Sequence, residues 1–332
     1  MDYRNLGHTG LKVSPLCLGT MMFGKWGNAD HDDSIRVIHR ALDAGINFVD
    51  TANGYSEGES EVIVGKAIRD RRQQVVLATK VWAPMGEGPN QRGLSRNAIQ
   101  EQVENSLRRL DTDVIDLYQI HRPDPTTPVE ETLSTLNDLV RQGKVRYLGL
   151  STNHYAGSAL WEKRFSAWEI VETLWISERR GWERFVCLQP PYSILRRIME
   201  LEHFPMTERF GIGNIVWSPL EGGWLTGKYR RDSGNPKDSK RAEGWIGDLD
   251  NPKFKRRLDI VEELIPLAEA KGVSLARFAN AWALRNPAVT SVIIGPRTME
   301  QLEDSLAALD VEITDEDAAA IDRLVPPGTS AL

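Results

Sequence analysis

Eight short, almost unbroken apolar runs, each parted from the next by an amphipathic stretch, constrain this chain more than any other feature. They are "LCLGT" (16–20), "NFVDTA" (47–52), "VVLAT" (75–79), "VIDLYQIH" (114–121), "VRYLGLS" (145–151), "FVCLQ" (185–189), "NIVWSPL" (214–220) and "VTSVIIG" (289–295). A strand with one wet face alternates polar and apolar residues; a continuous apolar run is buried on both faces, as in parallel sheets covered by helices. The intervening "DSIRVIHRALDAG" and "RNAIQEQVENSLRRL" carry the helical period. Eight βα units in one series predict an α/β chain closed into a (β/α)8 TIM barrel, rather than an open doubly wound sheet, with residues 1–332 as a single domain.

Three regions break the rhythm. "YRNLGHTGLKVSP" precedes the first run and predicts an N-terminal β-hairpin at the barrel floor. The stretch 228–254, rich in Gly, Pro and charge, predicts a long loop over one face. Between 155 and 183, Trp161, Trp168, Trp175 and Trp182 recur at seven-residue intervals, a spacing that predicts helical core packing. Elsewhere "SEGE" (56–59) reads as a capping box ahead of "SEVIVGKAI".

A net charge of −6 with scattered signs argues against nucleic acid and anionic membranes as partners. No apolar run approaches a membrane span, "MDYRNLGHTG" lacks the order of a secretory signal, and Cys17 and Cys187 have no ligand-like spacing. A cytoplasmic protein acting on a small molecule is expected, as monomer or homo-oligomer.

In such a barrel the reacting groups sit where strands end and βα loops begin. Those positions hold Asp50, Lys80, His121, Ser151 and Gln189, one at the end of each of five consecutive runs. Tyr55, alone an ordinary amphipathic loop residue, follows Asp50 at the same mouth. A free phenol is a weak acid with a pKa near 10; an adjacent ammonium is expected to lower it, and a carboxylate to keep that ammonium charged. Asp50, Tyr55 and Lys80 supply these parts, and His121 can orient a substrate oxygen. The set suits proton delivery to an oxygen that becomes negative, as in carbonyl reduction with a hydride donor.

No GxGxxG follows a strand. "GGWLTGKY" (222–229) matches the opening of a phosphate-binding P-loop, but Tyr229 stands where magnesium chemistry needs Ser or Thr. Glycine backbone with Lys228 still suits a pyrophosphate. After the eighth run "GPRTMEQLEDSL" starts a helix, where Arg297 could grip a ribose 2′-phosphate or remain solvated. The six histidines are scattered, which disfavours a metal-dependent hydrolase.

Together "GINFVDTANGYSEGESEVIVGKAI", "VVLATKV", "DLYQIHRPD", "VRYLGLS", "QPPYSILRR", "WSPLEGGWLTGKY" and "SVIIGPRTMEQLEDSLAAL" resemble the aldo-keto reductases along nearly the whole chain. The resemblance extends to the bacterial branch similar to β-subunits of voltage-gated potassium channels. It implies NADPH (NADP⁺ in the oxidised state) and a tetrad of Asp50, Tyr55, Lys80 and His121, with Tyr55 protonating the oxygen of an aldehyde or ketone. It further implies that Ser151, Thr152 and Gln189 lie at the carboxamide and that Tyr192 stacks on the nicotinamide, lined by Gly19, Thr20 and Met21. Trp217, Ser218, Pro219, Leu220, Gly222, Lys228 and Arg241 would follow the pyrophosphate; Gly295, Arg297, Gln301 and Asp304 would contact the adenosine end. Thr152 replaces the family's usual Asn, and Asp304-Ser305 its usual Glu-Asn pair. The segment 157–166 looks like an insertion at the mouth. Phe23, Trp26, Trp82 and Trp161 either make the substrate pocket aromatic or pack loops together. A coenzyme-binding regulatory or scaffold subunit is the alternative reading.

Overall fold

The computed structural model describes residues 1–152, 165–230, 249 and 251–331. A two-stranded antiparallel hairpin, β1 (Arg4–Asn5) and β2 (Lys12–Val13), leads into eight barrel strands. These are β3 (Leu16–Gly19), β4 (Phe48–Asp50), β5 (Val76–Val81), β6 (Ile115–Ile120), β7 (Val145–Ser151), β8 (Phe185–Gln189), β9 (Gly213–Val216) and β10 (Val289–Ile294). Each pairs in parallel with its chain neighbour, and β10 closes onto β3. The helices are α1 (His31–Asp43), α2 (Glu59–Ile68), α3 (Arg96–Leu110), α4 (Val129–Arg141), α5 (Ala167–Arg180), α6 (His203–Phe210), α7 (Lys255–Ala270), α8 (Leu275–Arg285), α9 (Met299–Leu306) and α10 (Asp315–Leu324).

Alternation along the strands sorts the barrel interior by height. Leu6 and Val13 of the hairpin region pack with Cys17, Phe48, Val76, Ala78, Leu117, Cys187, Ile215 and Ile293 as an apolar lower layer. The hairpin therefore fills the floor, as expected. Two residues on, side chains point inward again, and the sequence there turns polar: Phe48 gives way to Asp50, Ala78 to Lys80, Leu117 to Gln119 and Cys187 to Gln189. The residues facing the helices build the larger apolar cluster.

Three local expectations are corrected. "SEGE" is no capping box: Tyr55–Gly58 is a tight turn with Ser56 and Glu57 at φ 48° and 59°, and α2 begins at Glu59 with no side-chain cap. A capping residue needs extended backbone, whereas Ser56 is left-handed. Its Oγ instead accepts from Trp26 N at 3.3 Å and donates to the Phe23 carbonyl at 3.2 Å. Second, β9 stops at Val216 rather than 220, because Ser218 turns to φ 56°. Third, the tryptophan spacing does not mark a core: Trp168 and Trp175 lie 66% and 61% exposed on the outer side of α5, and of the three described tryptophans in the series only Trp182 packs against the apolar cluster. Trp161, with residues 157–164 of the supposed insertion, lies outside the described residues.

Candidate active site

Asp50 ends β4, and its carboxylate is buried at the centre of the polar layer. One oxygen accepts from Lys80 Nζ in a short ion pair. The other accepts from the side-chain amides of Gln119 at 3.0 Å and Gln189 at 2.9 Å. Lys80 Nζ also donates to the Thr51 carbonyl at 2.8 Å and to the Tyr55 hydroxyl at 3.2 Å. The phenol is brought there by backbone: Asn53 N–H donates to Lys80 O, and Tyr55 N–H to Ala52 O. His121, one residue past β6, meets the Tyr55 ring edge-on with centroids 5.6 Å apart. Four residues from three strand ends are thus one cluster.

The charges of the cluster follow from its surroundings. Burial works against the Lys80 charge, but Asp50 and Tyr55 more than reverse this and hold the ammonium above the ordinary lysine value. Burial raises Tyr55 above the ordinary phenol value, and Lys80 draws it only part of the way back. The expected lowering is therefore corrected: burial outweighs Lys80, Asp50 adds to the rise, and the phenol stays protonated. Burial, followed by Lys80 and Arg122, presses His121 well below the ordinary imidazole range, so its ring is neutral at neutral pH.

The expected mouth residues divide. Trp26 is exposed and faces Tyr55, ring centroids 6.4 Å apart. Trp82 is half-buried, with the Arg122 guanidinium 5.1 Å over its ring. Phe23 is wholly buried in the outer cluster, and its carbonyl holds Ser56.

Ser151 Oγ donates to the Gln189 carbonyl at 2.9 Å, and Trp217 Nε1 to the Thr152 carbonyl at 3.4 Å, so β7, β8 and β9 end together. Thr152 Oγ1 is taken by Phe165, to whose carbonyl it donates. Gly19 allows close packing, since a Cβ there would meet Ile293 Cγ2 at 2.6 Å. Thr20 is buried with its hydroxyl on Asp50 O and Ser60, and Met21 is half-buried. Tyr192 does not reach the mouth. Its ring is buried against Trp282 and Phe204, and its hydroxyl binds Glu200 at 2.6 Å and accepts from Asn286. The half-buried Trp217 is the aromatic ring that packs against the barrel interior there.

Past β9, Ser218 to Leu220 lead into a tight turn, Glu221–Thr226, with Gly222 and Gly223 at φ 68° and 98°. A Cβ on Gly223 would meet Lys228 Nζ at 3.0 Å, so this lysine folds over the glycine turn. Beneath it lies an anchor that sequence reading missed. Arg196, buried, donates to both Glu221 oxygens at 3.1 and 2.5 Å, and Ser193 donates to one of them. Beyond β10, exposed Gly295 precedes Arg297, whose N–H donates to Gln301 Oε1 at 2.9 Å. Arg277 and Ser274 engage both oxygens of Asp304. Arg241 lies outside the described residues. Backbone amides in a glycine turn, Lys228 and Arg297 suit phosphate groups, and an uncommitted amide oxygen on Gln189 suits a carboxamide.

The aldo/keto reductase family model matches residues 15–326. The chain belongs to that family. It is 40% identical to the uncharacterized oxidoreductase YrpG of Bacillus subtilis, covering 99% of this chain and 97% of that protein. A probable voltage-gated potassium channel subunit beta of Oryza sativa is 39% identical over 94% of this chain and 92% of its own. An aldo-keto reductase of Fusarium vanettenii is 35% identical over 98% and 92%. As an aldo/keto reductase the protein is an oxidoreductase that uses a nicotinamide coenzyme. None of the described helices is long and apolar enough to cross a membrane.

Proposed function

We propose that this aldo/keto reductase reduces aldehydes and ketones with NADPH, and that Tyr55 is its proton donor. The observation that carries the reading is Lys80 Nζ, which touches the Asp50 carboxylate and the Tyr55 hydroxyl together. NADPH, when bound, supplies hydride to the carbonyl carbon. Ser151, Gln189 and Trp217 would hold its nicotinamide end, Gly222 and Lys228 its pyrophosphate, and Arg297 a 2′-phosphate, which favours NADPH over NADH.

The chain's own groups do the rest. Neutral His121 donates a hydrogen bond to the carbonyl oxygen and orients it toward Tyr55. As that oxygen gains negative charge it becomes more basic than a phenolate, so a phenol with a raised pKa still gives up its proton. The Lys80 ammonium stabilises the phenolate left behind, and Asp50 holds Lys80 in place. The pocket walls, Trp26 and Trp82, favour aromatic or apolar carbonyl compounds.

The test follows consumption of NADPH with an activated aromatic aldehyde. Tyr55→Phe should remain folded, bind coenzyme and lose about 10²–10⁴-fold in kcat, the range for a general acid. Unchanged turnover in the variant would sink the assignment. Similarity to a potassium channel subunit beta, with Trp168 and Trp175 exposed on one helix, favours as a second reading a coenzyme-binding subunit that docks on a partner. Very slow turnover with tight coenzyme retention would support it.

A further inference from the structure

Gln119 was not among the residues expected at the site, yet it holds the polar layer together. In register it stands between Lys80 of β5 and Gly149 of β7. Gly149 has no side chain to fill the space, and a Cβ there would stand 3.0 Å from Gln119 Cγ. Gln119 therefore spans past β7 to Gln189 of β8. Its Nε2 donates to Asp50 Oδ2 at 3.0 Å, and its Oε1 accepts from Gln189 Nε2 at 3.2 Å. The same Gln189 nitrogen donates to Asp50 Oδ2, so both of its amide hydrogens are used inward. The Gln189 oxygen accepts from neither partner and is what this side chain has left for the mouth.

A side-chain amide can turn over and exchange donor for acceptor. Here Gln119 selects one orientation of Gln189, because its own nitrogen is committed to a carboxylate that only accepts. A buried carboxylate oxygen also needs a donor at all times. If Gln189 turns toward a ligand, Gln119 keeps Asp50 Oδ2 satisfied, and Oδ1 stays on Lys80. We propose that Gln119 is a positioning residue, orienting Gln189 toward the coenzyme carboxamide and Asp50 toward Lys80. The inference rests on the reading of the site given above.

Gln119→Glu separates hydrogen bonding from shape, because the two side chains are isosteric. Protonated, the introduced carboxyl reproduces both bonds: O–H to Asp50, carbonyl oxygen to Gln189. Ionised, it loses the first and repels Asp50. Asp50 binds that side chain directly, Lys80 is its register neighbour and binds both Asp50 and the Tyr55 phenol, and the Cys17 and Cys187 thiols lie in the apolar layer below. Gln119→Met keeps the bulk without either bond at any pH, and Gly149→Ala crowds Gln119 while leaving every polar group present. NADPH binding is measured by fluorescence titration and kcat by aldehyde reduction, each across pH, with folding checked by thermal unfolding.

The expected result is coenzyme affinity lowered about tenfold in Gln119→Met at every pH, the scale of a hydrogen bond to a charged partner. Gln119→Glu should match wild type at low pH and lose affinity and kcat as its carboxyl ionises. Gly149→Ala should fall in the same direction and carries the test alone if the Gln119 variants do not fold. Wild-type behaviour in all three, or a loss in Gln119→Glu that ignores pH, overturns the proposal. If wild type itself neither binds NADPH nor reduces the aldehyde, the reading of the site fails, and this inference with it.

Discussion

Burial acts first on the proton affinities of Lys80, Tyr55 and His121, and the shift at His121 is the one whose consequence extends to folding. In the unfolded chain an imidazole takes up a proton near pH 6.5, whereas in the barrel burial, Lys80 and Arg122 oppose it. The unfolded state therefore binds more protons as pH falls below about 6.5, so stability present above that value is lost on acidification. His121→Asn removes this contribution. Its melting temperature should fall less than that of wild type between about pH 7.5 and pH 5.5; parallel falls would show that His121 titrates freely in the fold. This cluster was legible in the sequence because Asp50, Lys80 and His121 close apolar runs and Tyr55 follows Asp50 on the adjoining loop. Gln119 was not, because it lies two residues inside its run, at "DLYQIH", where nothing local marks its amide as the partner of Asp50 and Gln189. The direction of the Tyr55 shift was equally hidden, since it depends on how far burial outweighs Lys80.

At the scale of elements, α5 shows how a periodic signal can mislead. Seven-residue spacing puts Trp168 and Trp175 on one face, but spacing alone does not say which face; Ile170, Thr173, Leu174 and Ser177 are the residues turned to the barrel. Trp168→Ser and Trp175→Ser should each shift stability by no more than about 0.5 kcal/mol, as exposed substitutions do. A buried tryptophan would cost about 3–5 kcal/mol on truncation, so denaturant unfolding discriminates sharply. The strands were readable from continuous apolar runs, and β9 was overextended because "WSPL" continues the run in composition while Ser218 breaks it in dihedral angle. The turn after β9 was visible as glycines and lysine; its support was not. Arg196 and Glu221 are 25 residues apart, and nothing local marks two charged residues as a buried pair.

For the whole molecule, closure is the governing fact. Eight parallel strands leave no edge, and the hairpin stops the lower end, where Leu6 is buried among barrel side chains. Leu6→Ala should cost about 2–5 kcal/mol, the range for a core leucine whose cavity cannot collapse, although it lies far from the cluster at the other end. A melting temperature unchanged by the substitution would mean that the hairpin is an ornament rather than a stopper. With its base filled by the hairpin, the barrel admits nothing from below. Whatever reaches the polar layer approaches from the strand ends, where the Tyr55 ring meets Trp26 and His121. A molecule that merely settles on those rings, with no affinity for the polar layer below, would hinder incoming and outgoing traffic alike.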